Sequence, residues 1–124
     1  MKPATIEELT QLIVGSGLLS RGEADNLAEE FKASDPRHGL SLLAFGDYLI
    51  ARDRLTWWQV AKLCDGRWKG FCVDHYKLVG FLREDETRHR YLAEVLSTGQ
   101  IVVLAFRHGH PSRYKVEPFD GAAP

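Results

Sequence analysis

The chain has 124 residues, with 16 Lys and Arg against 17 Asp and Glu for a formal net charge of −1, and is 44% hydrophobic and 27% charged. That length makes one domain, or one and a small appendage, able to bury a core without staples, and the composition is that of an ordinary globular protein. The near-zero charge removes the bulk electrostatic case for nonspecific binding to nucleic acid or an anionic membrane, and apolar runs of at most six residues fall far short of the ~20 that a spanning helix needs.

The N-terminus shows no basic-then-apolar signal pattern, so a cytoplasmic location is expected. Thr5 and Glu8 make a capping box, and Ile6, Leu9, Leu12 and Ile13 recur at helical spacing until Gly15 and Gly17, which predicts a first helix over 6–14. Ser20 and Glu23 open a second helix with Ala24, Leu27, Ala28 and Phe31 on its buried face, and Ser34-Asp35-Pro36 ends it. Leu42, Leu43, Phe45, Leu49 and Ile50 outline a third helix between Leu40 and Ala51, with Gly46 as a tolerated weak point.

After the polar link Arg52-Asp53-Arg54, Thr56 and Gln59 form another capping box and Gly66 supplies a left-handed exit, predicting a fourth helix over about 56–65. All three tryptophans lie in this neighbourhood, at Trp57, Trp58 and Trp68. Adjacent helical positions point about 100° apart, so one of Trp57 and Trp58 enters the core with Val60, Ala61 and Cys64 while the other lies at a boundary or in solvent. Trp68 and Phe71 are expected at that same boundary.

From Tyr76 the period changes. Tyr76, Leu78, Gly80 and Leu82 alternate with Lys77, Val79 and Phe81 as a half-buried strand, and the charged run Arg83 to Arg88 makes the reversal. His89 to Leu96 and Ile101 to Phe106 form two further strands around the Ser97-Thr98-Gly99-Gln100 turn. Arg113 to Val116 adds a short fourth after the His108-Gly109-His110-Pro111 turn, and the tail from Pro118 is expected to fray.

The expected fold class is therefore α+β: about four short helices (1–66) packed on a three- or four-stranded antiparallel meander (74–117), with a frayed tail (118–124). The joint at 66–75 is too short to separate two bodies, so 1–124 reads as a single domain.

Leu55-Thr56-Trp57-Trp58-Gln59, then Gly66-Arg67-Trp68-Lys69-Gly70-Phe71, then Tyr76-Lys77-Leu78 resembles the segment that enters the kinase domain in planctomycete-type bacterial serine/threonine protein kinases. The resemblance spans residues 40–106, with Arg90-Tyr91-Leu92-Ala93-Glu94 and Thr98-Gly99-Gln100-Ile101-Val102 fitting the second and third strands of the kinase N-lobe. It implies a degenerate, truncated version of that region. The three phosphate-loop glycines fall at Arg83, Asp85 and Arg88, and the phosphate-contacting lysine falls at Ala105. Catalytic loop, metal-binding motif and αC glutamate have no counterpart, so neither enzyme activity nor an ATP cofactor is expected.

Cys64 and Cys72 match neither a redox Cys-x-x-Cys nor a zinc knuckle and read as buried or half-buried thiols. His108 and His110 have no acid or cysteine at a convincing spacing to complete a metal set, so they read as exposed turn histidines and no metal is expected. No nucleophilic triad is identifiable from spacing. The expected function is a non-catalytic protein-protein interaction or regulatory module, with Trp57, Trp58, Trp68 and Phe71 as candidate partner-binding residues. A kinase, another signalling protein or a second copy is the expected partner. The alternative is a small nucleic-acid-binding protein using the strand Arg88 to Tyr91 beside Lys77 and the exposed aromatics.

Overall fold

The structure is a computed structural model that describes residues 2–34 and 41–119. The stop after Ser34, the start of the third helix at Leu40 and the end of the tail lie outside the described residues. The fold is α+β: α1 (Ile6–Ser16), α2 (Arg21–Ser34), α3 (Leu42–Ala51) and α4 (Trp57–Cys64) precede β1 (Cys72–Val73), β2 (Tyr76–Glu84), β3 (Arg88–Val95), β4 (Ile101–Arg107) and β5 (His110–Pro118). The chain divides into two compact units, Met1–Phe71 and Cys72–Pro124. Among the described residues no helix is long and apolar enough to cross a membrane.

Caps place the helices. Thr5, Ser41 and Thr56 each accept a backbone N–H in the first turn, and at α4 the Gln59 side chain returns the bond to the Thr56 N–H at 2.9 Å, completing the box. α4 ends in a Schellman motif, with Arg67 N–H on the Lys62 carbonyl (3.0 Å), Gly66 N–H on that of Leu63 (2.9 Å) and Gly66 at φ 86°. α1 runs through Gly15 and stops only at Ser16, because the left-handed residue that terminates it is Gly17 at φ 81°.

α1 packs on the other three helices, and Leu9, Ile13, Phe45, Leu49 and Leu63 are almost wholly removed from water. Phe31 stacks obliquely on Phe45 and Tyr48, with ring centroids 5.4 and 5.3 Å apart. Each such side chain contributes about 1.5–3 kcal/mol on burial. Exposed pairs such as Lys32–Glu7 (2.8 Å) contribute at most about 1 kcal/mol, so burial decides the stability of this unit.

Gly46 is a contact point rather than a weak point. It is buried where α3 crosses α4, and a Cβ there would lie 2.9 Å from Cγ1 of Val60. Glycine lets the two backbones approach.

The sheet is a pure meander, in the order β1-β2-β3-β4-β5, with every neighbouring pair antiparallel. Five strands form where three or four were expected. β1, only two residues long, pairs with the start of β2 across a turn in which Asp74 takes φ 52°, too short a strand for periodicity to reveal. β5 spans the whole of His110–Pro118 rather than Arg113 to Val116, because the turn contracts to His108-Gly109 with Gly109 at φ 75°. β4 reads as a continuous apolar run because it lies between β3 and β5, and Val102 to Phe106 are all buried.

β2 departs from strict alternation. Its register against β3 slips between Leu78 and Gly80 and again between Phe81 and Arg83, so Val79 and Leu82 are extra residues. Phe81 thereby pairs with Tyr91 on the face of Leu78 rather than the opposite one, and the second slip returns Glu84 to that face, opposite His89. On this face Phe81, Tyr91, Phe106, Tyr114 and Tyr76 form a chain of rings with centroids 5.3, 5.7, 5.4 and 6.0 Å apart. Tyr76 in β2 meets Tyr114 in β5 although two strands intervene, so the sheet is strongly curled.

The Tyr114 hydroxyl donates to the Asp74 carboxylate, and that bond, then burial, then the Asp74 charge push its pKa up to about 12. In the unfolded chain it returns to about 10, so the bond stabilises fully below about pH 10 and is lost as pH rises through the folded value. Tyr114→Phe should abolish the phenolate absorbance step near pH 12. Gly46→Ala should lower the melting temperature: overpacking of about 1–3 kcal/mol exceeds the helix-propensity gain of at most about 1 kcal/mol. A melting curve of the variant checks it.

Candidate functional site

The β2–β3 reversal is built by one carboxylate. Oδ1 of Asp85 accepts from the backbone N–H of Thr87 (2.9 Å) and Arg88 (2.8 Å) and from the Thr87 hydroxyl (3.1 Å). Asp85 N–H closes the turn on the Arg88 carbonyl at 2.9 Å, and Oδ2 receives the Arg90 guanidinium. Aspartate is a turn residue because its short side chain reaches backbone donors two and three residues on. The Thr87 N–H, then the Arg90 side chain, then the Arg88 N–H hold its carboxyl well below the usual carboxylate range.

Two cations at this tip are engaged by the chain: Arg90 also donates through Nε to Glu117 at 3.1 Å and Arg88 reaches the Ala105 carbonyl at 3.2 Å, while Lys77, at the other end of β2, sits 3.8 Å from Glu94. Ala105 itself is fully buried in β4 and puts no charge at this position. Residues Arg83, Asp85, Arg88 and Ala105 lie on neighbouring parts of one hairpin and its partner strand. Among them only Asp85 organises the tip.

The four aromatic candidates do not form one set. Trp57 is 72% exposed, whereas Trp58 is half-buried and meets Phe71 edge-on at 5.6 Å. Phe71 is 3% exposed and belongs to the core, so it offers no surface to a partner. Trp68, 37% exposed, lies over Gly15 of α1 with the Lys69 ammonium 5.1 Å from its ring. Of the two thiols, Cys64 is half-buried as expected and its pKa is raised by burial, while Cys72 is exposed, contrary to the expectation for it.

His108 and His110 do not act together. His108 instead meets His89, with ring centroids 4.1 Å apart, and His89 Nδ1 lies 2.9 Å from Oε2 of Glu84. One ring nitrogen from each histidine and a carboxylate oxygen of Glu84 all fall within 4.8 Å of one another. The acid that spacing failed to supply comes from across the reversal. Glu84 and His89 flank the turn symmetrically, which was the available signal; joining them to His108 required the β3–β4 register.

A further groove of about 330 Å³ runs between α1 and α2, lined in part by Glu7, Arg21, Asp25, Glu29 and Lys32. Glu7 there is held ionised by its hydrogen bond from Lys32.

Asp85→Asn keeps the acceptor for both N–H groups and removes the titration. A depressed folded pKa stabilises above the unfolded value of about 4 and loses that contribution as pH falls toward the folded one. The stability advantage of the parent chain over Asp85→Asn should therefore be constant above about pH 4 and shrink below it, as read from paired melting curves at each pH.

Comparison with protein-family models, with curated proteins and with solved structures finds no match to this chain.

Proposed function

We propose that this chain is a non-catalytic protein-protein interaction or regulatory module of the cytoplasm, related to the N-terminal regions of bacterial serine/threonine kinases and lacking an ATP site. The observation that carries the reading is Asp85. At the tip where a nucleotide-binding hairpin would offer bare backbone N–H groups to phosphate, a carboxylate of the chain itself takes those of Thr87 and Arg88. Glu84 and Glu86 on either side add exposed negative charge that repels a polyanion.

Two further facts support a non-catalytic reading. Among the described residues the carboxylates displaced from their ordinary range, Glu7, Glu23 and Asp85, are all displaced downward, away from the values a general base needs near neutral pH. Cys64 is displaced upward, away from a reactive thiolate. The nucleic-acid alternative draws less support, because Lys77, Arg88, His89 and Arg90 each already hold an acceptor of the chain.

The protein partner is read from Trp57. Exposed tryptophan is the residue type most often found carrying binding energy at protein interfaces, and Trp57 leaves most of its ring in solvent. A kinase, another signalling protein or a second copy of the chain fits this reading.

Mg-ATP at ~100 times a dissociation constant would stabilise the fold by ~2.7 kcal/mol, a shift of several degrees in a domain of this size. No shift is expected; a clear one overturns the reading. Trp57→Ala should melt like the parent chain yet lose its partner in a pull-down from native cytosol. Trp58→Ala should instead lower the melting temperature, because its ring packs on Phe71. Retention of every partner by Trp57→Ala would remove the proposed interface.

A further inference from the structure

The geometry points to a binding site for a divalent transition-metal ion of the zinc class, with Glu84, His89 and His108 as its three protein ligands. Two imidazoles and one carboxylate are the donor set of a three-ligand zinc centre, which leaves a further position for water or for a ligand brought by a partner. The three donors lie within 4.8 Å of one another, close enough for small side-chain rotations to bring them to the ~3.3 Å separation of ligands on one tetrahedral ion.

Their placement comes from the sheet. Glu84 ends β2 and is the register partner of His89 in β3, while His108 directly follows β4, whose Phe106 is the other register partner of His89. The bulge at Leu82 is what turns Glu84 toward His89; without the extra residue the carboxylate would face the other side of the sheet. The His108 N–H bonds to the Thr87 carbonyl at 2.9 Å and ties the β4–β5 turn to the β2–β3 turn. Three strand ends are thus held together by backbone bonds before any ion arrives.

The surrounding bonds also suit ligation. Nε2 of His108 lies 2.8 Å from the carbonyl oxygen of Asp85. A carbonyl only accepts, so Nε2 carries the proton and the lone pair of the neutral ring is on Nδ1. An imidazole anchored by a backbone carbonyl is the outer-shell arrangement that orients metal-ligating histidines. Nδ1 of His89 and Oε2 of Glu84 already stand 2.9 Å apart. Bound to one tetrahedral ion at about 2.0–2.1 Å, the same two atoms would stand ~3.3 Å apart, so a movement of a few tenths of an ångström, with any proton between them released, makes the pair ligands. Glu84 is 54% exposed at its side chain and His89 37%, so an ion enters directly from solvent.

This inference concerns the rim of the sheet and stands apart from the partner surface at Trp57. Chelator-treated protein is titrated with Zn²⁺ by calorimetry, and Co²⁺ is then added for its visible d–d absorption. One equivalent should bind, with affinity falling at least about tenfold in Glu84→Gln, His89→Ala and His108→Ala and unchanged in His110→Ala. Cys72→Ser should also leave it unchanged, and the Co²⁺ spectrum should lack thiolate charge-transfer bands. Should a histidine variant fail to fold, Glu84→Gln decides, since it changes an exposed side chain that keeps its shape. Absence of binding, binding undiminished in Glu84→Gln, or loss of binding in Cys72→Ser overturns the assignment.

Discussion

Two extra residues in β2 determine most of what the sheet presents. A strand alternates faces strictly, so each inserted residue reverses every side chain beyond it. Val79 reverses the face before Phe81, and Leu82 reverses it again before Glu84. Bulges also bend and twist a strand, consistent with a curl tight enough to put Tyr76 of β2 against Tyr114 of β5. The row of aromatic rings and the meeting of Glu84 with His89 both follow from that pair of slips.

Within the helical unit the corresponding constraint is close approach. α3 and α4 touch where Gly46 faces Val60, and α1 lies under Trp68 at Gly15. The first contact exists because the backbone carries no side chain at Gly46, and beside it Phe45, Leu49 and Leu63 are removed from water. The tryptophans that draw attention in the sequence divide accordingly: Trp58 packs within the unit, while Trp57, one position earlier, is turned about 100° and reaches solvent.

The β2–β3 tip joins electrostatics to the functional reading. Asp85 supplies from within the chain the negative charge that a hairpin of free N–H groups would otherwise take from a phosphate. Of the neighbouring cations, Arg90 is also bound to Glu117 and Arg88 to the Ala105 carbonyl. The two imidazoles and the carboxylate at the edge of this tip are donor groups of the kind a cation recruits.

Much of the architecture was legible in the residues themselves. The caps at Thr5, Ser20 and Thr56, of which only the last closes as a full box because Glu8 turns to the Ala4 N–H and Glu23 to the Ser20 hydroxyl, the helical spacing of Ala24, Leu27, Ala28 and Phe31, the left-handed exit at Gly66 and the change of period at Tyr76 are local signals, set within one turn of helix or one pair of residues. They determined four helices followed by an antiparallel meander. Tertiary structure decided what depends on partners distant in sequence: the register slips in β2, the strand β1 that exists only by pairing with Lys77 and Tyr76, and the burial of Phe71. It also decided the convergence of His108 with residues some twenty positions earlier. A capping box is written in four consecutive residues; a register, a buried face and a set of ligands exist only once separate strands have been brought side by side.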